Sequence, residues 1–107
     1  MSSTAPLTVL GDNSMDEKTV NIHPNDGFDL GLMTTEHVVR IHVGDATDPQ
    51  SLPDSAFVYG KIYLKNEVRN GHLEMGLKSA ERLNGAKQAV VHLVEGDRYG
   101  TLLITPA

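Results

Sequence analysis

At 107 residues the chain has room for one hydrophobic core and not for two. It has no cysteine, which removes disulfide frameworks, thiolate zinc sites and cysteine nucleophiles; no tryptophan and only three tyrosines and two phenylalanines, so the core must be built from Val, Ile, Leu and Met. A net charge of −5 argues against nucleic acid as the main partner, because phosphate binding needs a basic footprint.

The start, Met1 to Pro6, has neither the basic nor the apolar segment of a signal peptide, and no apolar run approaches the roughly 20 residues that span a bilayer. The expectation is a cytoplasmic or virion-associated protein without membrane insertion. Residues 1–17 are rich in Ser, Thr, Asn, Asp and Gly apart from Leu7 to Leu10, which fit either one short strand or an arm laid on a neighbour, and are expected to form a flexible or extended arm ahead of a single globular domain over 18–107.

Lys18 to His23 alternates, with Val20 and Ile22 on one side, and the turn-forming run His23-Pro24-Asn25-Asp26-Gly27 ends it. Glu36 to Val43 alternates cleanly as a strand, with Val39, Ile41 and Val43 inward and Arg40 and His42 outward. Gly44 to Ser55 reads as a loop of about a dozen residues, long enough to be a candidate functional loop. Phe57 to Lys65 is the most informative strand: Val58, Ile62 and Leu64 fall on one face, with a gap at Gly60, and Phe57, Tyr59, Lys61, Tyr63 and Lys65 on the other.

Residues 66–87 fit two patterns. Asn70-Gly71 between Val68 and Leu73 matches a type I′ hairpin. Leu73, Leu77, Ala80 and Leu83 match a helix with a natural stop at Asn84-Gly85, and 69–88 contains no Val, Ile or Thr, so the composition favours a helix near 72–84. Gln88 to Val94 and Thr101 to Ile104 complete a hairpin closed by Glu95 to Gly100. The expected fold is therefore α+β, a mainly antiparallel sheet of about five or six strands with one helix at 72–84; an all-β sandwich or barrel is the alternative.

Charge divides along the chain. Residues 1–60 carry nine acids against Lys18 and Arg40, a net of −7, whereas 61–107 carry seven bases against five acids, a net of +2. Folding can interleave these halves, or they can meet between subunits.

Motif chemistry is sparse. Gly11-Asp12, Gly44-Asp45 and Gly96-Asp97 are strand-ending turns rather than calcium loops. The histidines at 23, 37, 42, 72 and 92 lack metal-ligand spacing, though His42 and His92 would meet if their strands paired. No serine stands in a nucleophile elbow and no glycine run has phosphate-loop spacing, so neither catalytic residues nor a cofactor is expected. What remains is the outward row of Phe57, Tyr59, Lys61, Tyr63 and Lys65, with Arg98 and Tyr99 as neighbours. Tyr and Arg are the residues of protein interfaces, and the expectation is a non-enzymatic interaction or assembly module, a small viral or bacterial accessory protein that binds itself or a larger protein. The alternative is a binder of a small anionic ligand or nucleotide with a pocket at a subunit interface.

Overall fold

The computed structural model describes residues 1–107, and its chain closes a seven-stranded β-barrel. The strands are β1 (Ser2–Ser3), β2 (Leu7–Asp12), β3 (Thr19–Ile22), β4 (Glu36–Val43), β5 (Val58–Leu64), β6 (His72–Gly76), β7 (Gln88–Val94) and β8 (Gly100–Pro106), with two short helices, α1 (Pro24–Asp29) and α2 (Leu77–Glu81). The order β7-β2-β6-β3-β5-β4-β8 closes through pairing of β8 with β7, and β1 extends the β2 side of β7. Three neighbouring pairs are parallel (β2 with β6, β3 with β5, β4 with β8) and four antiparallel.

This corrects the expected α+β fold with a five- or six-stranded, mainly antiparallel sheet. The helix at 72–84 is the decisive difference. Leu73 and Met75 are both fully buried at a spacing of two, and Glu74 between them points outward, where it accepts from the Asn21 amide at 3.3 Å. The strand is held on both sides, by β2 in parallel register and β3 in antiparallel register, and that pairing overrides a composition poor in β-formers. The helix occupies only Leu77–Glu81, after which Asn84 and Gly85 take positive φ angles of 55° and 80° and turn the chain into β7. Nor is Asn70-Gly71 the tip of a hairpin, because β6 pairs with β2 and β3 and not with the residues before the turn.

Leu7–Asp12, expected in an arm, lies in the barrel wall with Leu7 only 1% exposed. Residues 2–4 and 7–8 follow β7 in antiparallel register, interrupted at Ala5-Pro6, where proline lacks a ladder donor. The His23 to Gly27 turn is the opening of α1: proline suits a first helical position as well as a turn, and the His23 ring caps it by accepting the Asn25 N–H at 3.0 Å. The buried Asp26 carboxylate accepts the Gly71 N–H at 2.9 Å, tying α1 to the turn ahead of β6.

Inward residues of all seven strands fill the barrel, among them Ile22, Ile62, Leu73, Met75, Leu102 and Ile104, each with no exposed surface. The gap at Gly60 has a steric cause: a Cβ there would overlap the Lys18 carbonyl oxygen, which accepts the Lys61 N–H at 2.8 Å. No helix is long and apolar enough to cross a membrane.

Candidate functional site

On β4 and β5 the expected alternation is present, and their outer rows meet in register: Arg40 stands opposite Tyr59, Val38 opposite Lys61 and Glu36 opposite Tyr63. No helix covers them. Tyr59 is 56% and Val38 55% exposed.

The row divides into two clusters, because Tyr59 and Tyr63 lie four residues, roughly 13 Å, apart along the strand. In the first, Lys61 Nζ pairs with Glu36 Oε2 at 3.1 Å and Lys65 Nζ lies 5.3 Å above the Tyr63 ring. The Glu36 carboxylate holds the Lys61 amine above its ordinary pKa. The second cluster is built on Phe57, which is buried just ahead of β5. Arg40 lies over its ring at 4.0 Å and His42 meets its edge at 6.0 Å. Arg40 Nε donates to Thr101 Oγ1 on β8 at 2.6 Å, which fixes the guanidinium plane. Tyr99, from the β7–β8 loop, meets Tyr59 edge-to-face at 5.5 Å and 85°, and its neighbouring hydroxyl raises the Tyr59 phenol pKa.

Of the residues expected at a site, Tyr59 and Tyr99 thus come together and Phe57 lies beneath the neighbouring Arg40; Lys61, Tyr63 and Lys65 form the separate cluster, and Arg98 lines the clefts beside Tyr99. Arg40, Thr101 and Gln50 belong to the site although no sequence motif marks them. The outward position of Arg40 is legible from the alternation of β4; Thr101 and Gln50 reach it through the parallel β4–β8 pairing and a loop crossing, neither of which leaves a local pattern.

The long loop between β4 and β5 has a structural task. Two 3₁₀ turns, Pro49–Ser51 and Asp54–Ala56, carry it along the outside of the barrel, and the Ala56 carbonyl is hydrogen-bonded to His42 Nδ1 at 2.9 Å. Leu103, on the outer side of β8 beside His42, is fully buried. The loop and the β7–β8 turn bound a cleft of about 430 Å³, lined by Arg40, Thr101, Pro49, Gln50, Val94 and residues 95–99. Beyond the turn a second cleft, of about 550 Å³, runs along Glu36–Val39.

His42 and His92 do not meet: β8 lies between their strands, with Leu103 in register with both. His92 is engaged at both ring nitrogens, Nδ1 with Ser3 Oγ at 2.7 Å and Nε2 with Thr105 Oγ1 at 3.1 Å, and burial lowers its pKa. No three His, Asp or Glu side chains gather as metal ligands. Only two ion pairs form, Lys61–Glu36 and Arg82–Glu17, and each joins a base of the second half to an acid of the first, so part of the charge complementarity is used within one chain. Compared with protein families, with curated proteins and with solved structures, the chain matches none.

Proposed function

We propose that the protein is a non-enzymatic interaction module, acting inside a cell or on a virion, whose outer β4–β5 face docks on a partner protein that presents acidic side chains. The observation that carries this reading is the exposed Tyr59–Tyr99 pair next to Arg40, an aromatic and guanidinium surface of the kind that anchors interfaces. Charge supports the acidic partner: on these rows and the residue after β5, Arg40, Lys61 and Lys65 face Glu36 alone, in a chain that is otherwise acidic. Ring geometry disfavours single-stranded nucleic acid, since base stacking needs free ring faces. Phe57 lies beneath Arg40 and Tyr63 beneath Lys65, while Tyr59 is met by Tyr99.

The test is amide chemical-shift mapping with a capped hexaglutamate peptide at low salt. The expected result is shifts confined to β4, β5 and residues 95–101, weakened about tenfold by Tyr59→Ala at an unchanged melting temperature. Equal shifts with hexalysine, tighter binding of a single-stranded oligonucleotide, or light scattering that shows the face occupied by a second copy would each overturn the reading. So would melting of the domain by Tyr59→Ala, because the ring would then be core.

A further inference from the structure

The cleft bounded by Arg40, Gln50 and the 95–99 loop has a charge pattern that selects a ligand. Thr101 takes the Arg40 Nε, and Phe57 supports the guanidinium from below, so the two terminal nitrogens of this cleft-lining side chain are left without a protein partner. No carboxylate of the protein pairs with them. A half-buried guanidinium without a counter-charge favours a ligand oxyanion, bound by two parallel N–H···O bonds. The same cleft is lined by Arg98, and also by Glu95 and Asp97, all exposed on its rim. A phosphate or other multiply charged anion would meet those two carboxylates as well as the arginines, and an uncharged ligand would leave Arg40 unpaired. Pro49, Val94 and the Tyr99 ring supply an apolar wall, and about 430 Å³ lies within the roughly 300–1,000 Å³ of small-molecule sites.

We propose that this cleft binds a small zwitterion, an amino carboxylic acid with an apolar side chain. Its carboxylate sits on the Arg40 fork, its ammonium turns toward Glu95 and Asp97, and its side chain lies against Pro49, Val94 and Tyr99. This site shares Arg40 and Tyr99 with the proposed docking face, while the rest of its lining, Pro49, Gln50, Val94 and residues 95–98, lies off that face between the β4–β5 loop and the β7–β8 turn.

The experiment is calorimetric titration with four probes: L-phenylalanine, 3-phenylpropionate, which lacks the ammonium, 2-phenylethylamine, which lacks the carboxylate, and inorganic phosphate. L-Phenylalanine is expected to bind at least about tenfold more tightly than each of the others, the loss that one charged hydrogen bond carries. Arg40→Gln is expected to abolish its binding. The double variant Glu95→Gln, Asp97→Asn, at two exposed positions that leave the fold intact, is expected to bring L-phenylalanine and 3-phenylpropionate to equal affinity. Equal or tighter binding of 3-phenylpropionate or phosphate to the unaltered protein overturns the proposal in favour of a plain anion site. Absence of L-phenylalanine binding up to its solubility limit overturns it outright. Failure of the hexaglutamate mapping with L-phenylalanine binding retained would leave this site standing without the docking face.

Discussion

The Arg40 guanidinium lies 4.0 Å from the centre of the Phe57 ring while its Nε is bound to Thr101, so residues from three separate stretches of chain orient one charge on the barrel's outer wall. Phe57 is 8% exposed. Phe57→Ala is therefore expected to cost about 3 kcal/mol or more in urea unfolding. Phe57→Leu retains most of the burial but removes the ring face; it is expected to cost less and still to weaken L-phenylalanine binding, because the guanidinium loses its support. Equal affinity in the Leu variant would show that Thr101 alone orients Arg40.

Gly60→Ala tests the close approach of Lys18 to β5. The added Cβ would overlap the Lys18 carbonyl oxygen, a backbone atom that cannot rotate away. A loss of about 1–3 kcal/mol is expected, with the β3–β5 amides the first to lose protection from hydrogen exchange. Ala at Gly31, where an added Cβ would meet no atom within 4 Å but φ is +74°, separates steric overlap from backbone strain.

Alternation was the legible part of this chain. Val39, Ile41 and Val43 point inward and Arg40 outward as their spacing requires, and the β7–β8 hairpin could be read from its loop. The barrel was not legible, because its closure depends on three parallel pairs between strands distant in sequence, and parallel pairing has no local turn signature. Leu73 and Leu77 fit a helical spacing only because a strand passes into a helix between them, at Gly76–Leu77. At the site, the Tyr59–Tyr99 contact joins two regions that the sequence placed as neighbours without geometry, whereas Gln50 had no signal beyond lying in a long loop.

Asn21 offers a stabilising substitution. It is 6% exposed, its amide donates to Glu74, and its Oδ1 has no partner. Asn21→Val removes the unsatisfied acceptor and places a β-branched side chain in a strand, leaving the partly exposed Glu74 to water. An increase of about 1 kcal/mol in urea unfolding is expected. A decrease would mean that the Glu74 contact outweighs the orphaned oxygen.

His92 makes stability depend on pH. Burial holds its pKa below the ordinary value, so the unfolded chain takes up the proton first. Its contribution is complete above about pH 6.5 and is lost as the pH falls through that value toward the folded pKa. The urea midpoint of the unaltered protein is expected to fall between pH 7.5 and 5.5 by more than that of His92→Gln, which keeps the other four histidines as a common background. Because His92 is bonded to Ser3, the Thr4 amide, which donates to the Val91 carbonyl, is expected to lose hydrogen-exchange protection, taken relative to the intrinsic rate at each pH, at the lower pH. Equal midpoint shifts in both proteins would assign the pH dependence to the other histidines.

The first residues hold the barrel shut. Leu7 is 1% exposed in the core, and Thr4 Oγ1 accepts the buried Val91 N–H at 3.2 Å where Ala5-Pro6 interrupt the ladder. Leu7→Ala is expected to cost about 2–5 kcal/mol, and Thr4→Val, which keeps the shape but leaves the Val91 amide without its acceptor, about 1–3 kcal/mol. Removal of residues 1–12 is expected to abolish the cooperative melting transition followed by circular dichroism, since it opens the wall between β7 and β6 and leaves two unpaired edges. A truncated chain that still melted cooperatively at the original temperature would restore the reading of these residues as a flexible or extended arm, and β6 and β7 would then have to pair directly with each other.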